Sequence, residues 1–259
     1  MRVAVFLEED YTFTFGMLEA LIPRLRSGHE VAGVVAFPNR LTRHQGIGIY
    51  RKYVEVFGFA VFMRLACKTI AGRLRRLSNV ILGKSACWTF AGLCTSRGVP
   101  YLHSRDPNGE EVVAWVKDRR VDVVLAFVGY ILKQHILAAP RVCVINKHAA
   151  ILPASRGVFP VFWSLLHDEP VGVTIHKVDE RIDAGEIVLQ KVYEKRKDWS
   201  VWDYYQLVYS EAPDLIVESL ALLESGGRRP VADRPSPSYR GLPTRQDYLE
   251  FRGRGFSFV

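Results

Sequence analysis

The chain has 259 residues, 49% of them hydrophobic, so it is long enough to bury a sizeable core and too apolar to be disordered over most of its length. A formal net charge of +8 favours an anionic partner, which could be a phosphate-bearing substrate, nucleic acid or an acidic membrane surface. The four cysteines lack zinc-ligand spacing, and Met1 leads straight into an apolar strand, so we expect buried thiols, no metal site, no cleavable signal and a cytoplasmic protein.

Short apolar runs alternate with helical periodicity along the first half of the chain. Strands are predicted over 3–7, 31–37, 99–102, 121–128 and 141–145, and helices over 15–25, 86–97, 109–119 and 131–137. This alternation is typical of a mostly parallel sheet flanked by helices. The segment Gly46-Ile47-Gly48 does not indicate a dinucleotide loop, because no third glycine follows it and no apolar strand precedes it.

Residues 50–82 form a basic segment in which apolar side chains recur among arginines and lysines, with Glu55 almost the only acid. One interpretation is a basic amphipathic helix or helix pair that rests on an anionic membrane. The other, which we favour from the sequence, is one or two surface helices that pack an apolar stripe on the sheet and leave their basic residues in solvent. Gly58 and the scattered arginines exclude a membrane-spanning segment.

The second half of the chain is predicted to contain two paired strands, a long helix and a tail. The strands cover 172–178 and 186–193, and the helix covers 199–223, with Ser200 or Asp198 near its cap. The tail reads as an extended, proline-rich appendage whose candidate anchors are Tyr239, Tyr248, Phe251, Phe256 and Phe258. We therefore predict a catalytic domain over 1–195, with 50–82 as a basic helical insertion, followed by a C-terminal helix and tail over 196–259.

Three polar side chains lie at strand ends or in a turn, the places where ligands of open α/β sheets usually bind. Asn146 and His148 follow the strand that ends at residue 145, and Asp183 lies in a glycine turn. An amide donor beside an imidazole that Asp183 can orient suits attack on an acyl or formyl carbon. No serine or cysteine in nucleophile-elbow context lies nearby, and Ser155 reads as a loop hydrogen-bonder, so direct transfer is favoured over a covalent acyl-enzyme. The alternative is that Asn146 and Asp183 are turn residues and His148 a satisfied loop histidine.

A longer motif surrounds these residues over about forty positions. It consists of Asn146-x-His148, Leu152-Pro153, Arg156-Gly157, Pro160, Gly172-x-Thr174 and Asp183-x-Gly185. In order and spacing it closely resembles the folate-dependent formyltransferase family, which includes methionyl-tRNA formyltransferase, glycinamide ribonucleotide transformylase and the sugar N-formyltransferases. Residues 121–132 also resemble the strand and loop that border the folate in this family. The resemblance implies a Rossmann-like catalytic domain.

The resemblance also implies roles for single residues. Asn146 would hold the formyl oxygen. His148 would take the proton from the attacking amine, stabilise the intermediate, or both. Asp183 would polarise the imidazole and order a water that relays protons to the departing folate nitrogen. The donor would be N10-formyltetrahydrofolate. The residues implied to border it are Phe127, Val128, Gly129, Tyr130, Asp179 and Ile182. Lys147 departs from the family, in which smaller or apolar residues are common at that position.

The acceptor is less readable than the donor. Family members that act on initiator tRNA carry a sizeable C-terminal β-domain, whereas one helix and a short tail follow Tyr193 here; glycinamide ribonucleotide enzymes are usually more compact. An amino sugar on a nucleoside diphosphate, such as GDP-perosamine or a dTDP-linked 4-amino-4,6-dideoxy sugar of O-antigen and other surface polysaccharide synthesis, fits best. Arg156 and Lys84 are candidates for the diphosphate, Gly157 for backbone approach to the acceptor, and Trp163 either for the core or for bordering the sugar.

Other outcomes stay open from the sequence. The formyl group could go to another amine, glycinamide ribonucleotide or methionyl-tRNA. A non-catalytic protein of the same fold could use residues 50–82 to bind a membrane surface or RNA. Apolar residues on the tail and last helix make a homodimer plausible.

Overall fold

The computed structural model describes residues 1–41, 44–83, 87–233 and 235–259. The strands are β1 (Arg2–Glu8), β2 (Glu30–Phe37), β3 (Arg40–Leu41), β4 (His44–Gln45), β5 (Tyr101–His103), β6 (Val123–Phe127), β7 (Cys143–His148), β8 (Arg156–Gly157), β9 (Gly172–Lys177), β10 (Ile187–Val192) and β11 (Tyr239–Arg240). The helices are α1 (Thr14–Leu25), α2 (Ile47–Phe57), α3 (Phe59–Ile81), α4 (Phe90–Ser96), α5 (Glu110–Asp118), α6 (Gln134–Leu137), α7 (Pro160–Leu166), α8 (Val201–Ser225) and α9 (Arg245–Gly253).

Within the described residues, seven strands form one sheet in the order β10-β9-β7-β6-β1-β2-β5. Strand β1 pairs in parallel with β2 and β6, and β2 pairs in parallel with β5, whereas β10 runs antiparallel to β9. The buried, β-branched composition of β1 and β2 is the pattern expected of parallel strands covered on both faces. The predicted mostly parallel, Rossmann-like α/β fold is confirmed.

The chain divides into two compact units. One contains Met1–Gly46 and Leu65–Ile145, and the other contains Ile47–Arg64 and Asn146–Val259. The domain boundary that the sequence predicts near residue 195, between the catalytic domain and the C-terminal helix and tail, stays a prediction.

In the first unit, residues 3–7 of β1 are fully buried and α1 covers part of the sheet with one apolar face. The helix predicted over 86–97 is shorter in the structure. Thr89 caps α4 by accepting a hydrogen bond from the backbone N–H of Gly92 at 3.0 Å, so the helix begins at Phe90. Ala86, where the helix was expected to begin, lies outside the described residues.

The basic segment is a helix pair, α2 and α3. Gly58 separates the two helices at a φ of +87°, a left-handed backbone that glycine adopts at little cost. Helix α2 buries Val56 and Phe57. Helix α3 differs from the favoured interpretation, because large apolar side chains along it are exposed. These are Phe59, Met63, Ile70, Leu74, Leu77 and Ile81.

The second unit has an aromatic core around Phe57. Its ring centroid lies 5.5 Å from that of Phe159, 5.4 Å from that of Tyr248 and 4.1 Å from that of Phe258. Of the predicted tail anchors, Tyr248, Phe251 and Phe258 are therefore buried, while Tyr239 is 54% exposed. The tail and the basic segment thus contribute to one core.

The tail also contains a helix, α9, that the sequence reading missed. The available signal was a capping box, in which Thr244 accepts a hydrogen bond from the backbone N–H of Asp247 and the Asp247 carboxylate accepts from that of Thr244. The predicted cap of α8 at Ser200 is a capping box with Asp203, and Gly226 ends that helix in the left-handed conformation. No helix in the described part of the chain is both long and apolar enough to cross a lipid bilayer.

Candidate active site

The strand β7 carries two of the three predicted catalytic side chains. It was expected to end at residue 145 but continues to His148, so Asn146 and His148 lie two strand positions apart and share one face. Lys147, between them, lies on the opposite face, where its Nζ is 3.2 Å from the ring centroid of Tyr209 on α8. Its charge is therefore held on an aromatic ring and is directed away from the side shared by Asn146 and His148.

Both ring nitrogens of His148 are placed by the protein. The Nε2–H group donates a hydrogen bond of 2.9 Å to the backbone carbonyl of Ser155, and Nδ1 lies 3.5 Å from Oδ2 of Asp183. The second distance exceeds the roughly 2.8 Å of a charge-assisted hydrogen bond. Because Nε2–H donates to the Ser155 carbonyl, Nδ1 is the nitrogen that can accept a proton. A proton bound at Nδ1 lies beside the Asp183 carboxylate.

Asp183 is held in a conformation that few residues adopt. Its φ is +48°, a left-handed backbone that aspartate tolerates better than most non-glycine residues. The side chain is 13% exposed, and Oδ2 accepts a hydrogen bond of 2.9 Å from the backbone N–H of Gly157. The turn also needs Gly185, because a Cβ there would lie 1.9 Å from the carbonyl oxygen of Lys177.

His176 is a site residue that the sequence reading missed. It is 1% exposed; its Nε2 lies 3.6 Å from Oδ1 of Asp183 and 3.5 Å from Nδ2 of Asn146, while Nδ1–H donates to the carbonyl of Lys177. Burial, aided by the nearby His148, lowers the pKa of His176 below its usual value, so its ring is neutral at pH 7 and can accept the Asn146 amide. His176 lies two residues after Thr174 of the motif, and this position could have indicated it as a site residue.

The segment between β7 and β8 is fixed by buried side chains of the next two strands. Thr174 Oγ1 accepts a hydrogen bond from the backbone N–H of Leu152 and donates one to the carbonyl of Ala150. The Gln190 amide donates to the Leu152 carbonyl at 2.8 Å and to Thr174 Oγ1 at 2.9 Å. Thr174 of the motif therefore positions the loop between β7 and β8, and its hydroxyl is used for that contact.

Ser155 is anchored by a hydrogen-bond network that includes the tail. Its backbone N–H donates to Oγ of Ser238 at 2.8 Å, and its own hydroxyl donates to the carboxylate of Glu169. Ser238 Oγ–H donates to the other Glu169 oxygen at 3.1 Å. Ser155 is thus the loop hydrogen-bonder that the sequence suggested, and the carbonyl that holds His148 depends on a residue 83 positions further along the chain.

We expect Ser238→Ala to lower turnover more than it lowers stability. The variant removes the acceptor of the Ser155 N–H, a hydrogen bond of about 1 kcal/mol, and lets the carbonyl that orients His148 shift, for which we expect about a tenfold loss of rate. Steady-state kinetics with urea unfolding would measure both. Ser238→Thr should restore the rate, and Ser225→Ala, whose hydroxyl contacts only carbonyls of its own helix, is the control. An unchanged rate in Ser238→Ala would contradict the positioning role.

The predicted acceptor residues Arg156, Gly157 and Trp163 lie in the same unit as Asn146, His148 and Asp183. Gly157 has a φ of +102°, and a Cβ there would lie 2.2 Å from the carbonyl oxygen of Arg240, so the close backbone approach it permits is to β11. Arg156 Nε donates to the carbonyl of Ser238 at 3.4 Å. Trp163 is 7% exposed and donates its indole N–H to the carbonyl of Gly241, which is a packing role. Contact of these residues with an acceptor stays a prediction.

The predicted folate residues are divided between the two units. Asp179 and Ile182 belong to the second unit, where Asp179 forms an ion pair with Arg181 and Ile182 is 42% exposed. The segment Phe127–Tyr130 belongs to the first unit. Lys84 lies outside the described residues.

Within the first unit, the segment Phe127–Tyr130 is bound to the end of β1. The backbone N–H of Gly129 donates to Oε1 of Glu8 at 2.8 Å, and the Tyr130 hydroxyl donates to the carbonyl of Pro38 at 2.9 Å. Burial raises the pKa of Glu8 to about 7, against the opposing effect of hydrogen bonds from Gly129 and Arg40. Glu8 therefore exchanges a proton near neutral pH; the acidic run Glu8-Glu9-Asp10 after the first strand was the signal for it.

Among the described residues, no group of three or more histidine, cysteine, aspartate or glutamate side chains is arranged to hold a metal ion. The site instead offers an amide donor, a buried neutral imidazole and an imidazole–carboxylate pair. Such groups can hold an oxygen and receive a proton at defined positions.

The fold is that of the formyltransferases. The structure of glycinamide ribonucleotide transformylase 1 from Symbiobacterium toebii matches with a TM-score of 0.58 at 20% identity, over 88% of this chain and 92% of that one. A sugar N-formyltransferase from a Shewanella species matches with a TM-score of 0.54 at 17% identity, over 97% and 87%. The chain belongs to the formyl transferase family, whose profile matches residues 1–220.

Relatives in sequence include a methionyl-tRNA formyltransferase from Agathobacter rectalis. It is 28% identical over 221 residues, which are 83% of this chain and 57% of that protein. The chain spans about half the length of the curated relatives it matches, with shares of 57%, 42% and 50% for three of them. The match of the family profile to residues 1–220 establishes the family, which is a family of enzymes that use N10-formyltetrahydrofolate.

Proposed function

We propose that this protein transfers the formyl group of N10-formyltetrahydrofolate to the amino group of a nucleotide-linked amino sugar. The observation that carries the transfer reaction is the placement of Asn146 and His148 on one face of β7, with Asp183 3.5 Å from the free ring nitrogen of His148. Family membership over residues 1–220 supports the donor.

In the proposed reaction, each group acts at a stated atom. The acceptor amine forms a C–N bond to the formyl carbon of the donor and the C–N10 bond breaks, so tetrahydrofolate leaves with N10 protonated by the proton that the amine gives up. The Asn146 amide donates to the formyl oxygen, and its contact with His176 Nε2 orients the amide before substrate binds. His148 accepts the proton of the attacking amine at Nδ1, and the Asp183 carboxylate stabilises the imidazolium that results. The hydrogen bond from Nε2 to Ser155 keeps Nδ1 directed at Asp183 throughout.

The donor contacts are proposed from the family resemblance. Asp179 and Ile182 precede Asp183 in the same loop, and the segment Phe127–Tyr130 follows a strand of the sheet at its carboxyl end, where ligands of open α/β sheets bind. Because the Gly129 N–H is donated to Glu8, pterin recognition by this segment would use its remaining backbone groups.

The amino-sugar acceptor is supported by the extent of the structural matches. A sugar N-formyltransferase of a Shewanella species and a 4-N formyltransferase of Francisella tularensis align over 97% and 96% of this chain, whereas glycinamide ribonucleotide enzymes align over 86–88%. An alignment over 97% necessarily includes most of the residues after 220, which contain the tail that anchors Ser155. The net charge of +8 suits the diphosphate of a nucleotide sugar, for which Arg156 remains the candidate.

Mass spectrometry of acceptor panels would test this proposal. The purified protein is incubated with N10-formyltetrahydrofolate and GDP-perosamine, dTDP- and UDP-linked amino sugars, glycinamide ribonucleotide or charged initiator tRNA. We expect one formyl group to be added to an amino sugar by the wild type, and His148→Ala should add it at least about 100-fold more slowly. Formylation of charged initiator tRNA, the acceptor named for the curated relatives, without any sugar product would overturn the acceptor. Absence of tetrahydrofolate release with every acceptor would overturn the reaction.

A further inference from the structure

A stripe of apolar side chains runs along the outer side of α3. It contains Cys67, Ile70, Leu74, Leu77 and Ile81, spaced alternately by three and four residues. At about 100° per residue these positions lie within roughly 40° of one line along the helix. Ile70 is 56% exposed, Leu74 60% and Ile81 75%. A surface helix normally buries such a stripe, whereas the stripe of α3 is exposed.

The side of α3 that packs on the first unit includes polar and basic residues. The Arg73 guanidinium lies 4.9 Å from the ring centroid of Tyr11, and that of Arg76 lies 3.7 Å from that of Phe15. Thr69 is 3.4 Å from the hydroxyl of Thr12. Two of the five basic residues of α3 are thus used for attachment, and the apolar stripe faces outward.

The charge beside the stripe has one sign. Helix α3 carries five arginine or lysine residues and no aspartate or glutamate. Lys68 and Arg75 are exposed, and at about 100° per residue they lie about 80–100° around the helix from Cys67 at the edge of the stripe. A helix that exposes an apolar stripe and carries only basic charges of its own is complementary to an anionic lipid bilayer, which offers hydrocarbon below a layer of negative headgroups.

A second copy of the chain fits this surface less well. Pairing two stripes would bring two α3 helices together that each carry five basic residues and no acid. Fifteen helical residues extend about 21 Å, and a stripe about 10 Å wide offers roughly 200 Å², well below the roughly 800 Å² per partner of a stable interface.

We propose that α3 attaches this protein to the surface of an anionic membrane through the stripe Cys67–Ile81 and the basic residues beside it. The helix lies in the headgroup region with Ile70, Leu74 and Leu77 inserted, and Lys68 and Arg75 contact lipid phosphates. This attachment is separate from the formyl-transfer site and does not depend on the proposed reaction.

Vesicle co-sedimentation of the full chain would test the attachment. Vesicles of phosphatidylglycerol mixed with phosphatidylcholine should bind the protein, and pure phosphatidylcholine vesicles should bind it much less. Raising the ionic strength from about 0.1 M to about 1 M shortens the Debye length from about 10 Å to about 3 Å and should weaken binding. Leu74→Ser should lower the partition coefficient about tenfold, and Lys68→Glu at least about fivefold.

Matched control variants distinguish binding through this stripe from nonspecific adsorption to vesicles. Leu249→Ser changes an exposed leucine of α9, and Lys117→Glu an exposed lysine of α5; both should bind vesicles as the wild type does. Equal losses in Leu74→Ser and Leu249→Ser would overturn the proposal, as would failure of the wild type to bind anionic vesicles. A concentration-dependent dimer in sedimentation equilibrium that Leu74→Ser abolishes, without vesicle binding, would assign the stripe to a second copy instead.

Discussion

Replacing Asn146 or His148 with alanine, or Asp183 with asparagine, should lower the rate of formyl transfer by about 10² to 10⁴-fold while the protein stays folded. Loss of a positioned proton acceptor costs about 10² to 10⁴ in rate, and loss of a donor to a developing oxyanion costs about 10² to 10³. Asp183→Asn keeps the acceptor for the Gly157 N–H, so the turn is retained and the loss reports on charge. Initial rates of tetrahydrofolate release, with circular dichroism on the same samples, measure both properties.

Asp168→Asn is the matched control for Asp183→Asn. Asp168 also has a left-handed backbone, with a φ of +56°, and its carboxylate lies in a surface ion pair with Lys195. Asparagine tolerates that conformation, and surface changes of this kind usually alter stability by about 0.5 kcal/mol or less. Its rate should equal that of the wild type. Near wild-type rates in all three site variants would reject this site.

Replacing Phe57 with alanine should destabilise the protein by about 3–5 kcal/mol, the usual cost of removing a buried phenylalanine. Phe57 is 3% exposed and packs against the rings of Phe159, which precedes α7, of Tyr248 in α9 and of Phe258 near the C-terminus. The cavity would lie where the basic segment, the loop before α7 and the tail meet. Urea unfolding followed by circular dichroism gives the free energy of unfolding.

Phe59→Ala provides the comparison, since Phe59 lies two residues later and is 65% exposed. The same change there should alter the free energy of unfolding by about 0.5 kcal/mol or less. Equal effects at the two positions would mean that the aromatic core around Phe57 does not form in solution. A loss confined to Phe57→Ala would show that residues 47–57 are part of the second unit and not an appendage.

The order of strands and helices could be read from the sequence because it depends on local patterns. Apolar runs in β1, β2 and β6 and the periodicity of α1 and α5 identify these elements within windows of a few residues. The motif around Asn146, His148 and Asp183 likewise indicated the family before any contact was known. Boundaries were less readable: β7 continues to His148, and α4 begins at Phe90 because Thr89 caps it.

The supporting residues of the site were not readable, because their partners are distant in the chain. Ser238 reaches Ser155 across 83 positions, and Gly129 reaches Glu8 across 121. Serine and glutamate have many ordinary uses on a surface, so no local pattern marks them as partners. His176 could have been noticed within the motif, but its contacts with Asn146 and Asp183 depend on the pairing of strands in the sheet.

The sequence by itself determined the α/β class, the family and the three candidate catalytic side chains, because each depends on residue types at short spacings. Only the tertiary structure decided which side of α3 is covered and that the tail holds the loop of His148. A periodic pattern states which residues of a helix share a side, but not what that side meets. In α3, Arg73 and Arg76 contact Tyr11 and Phe15, and the apolar stripe is left at the surface.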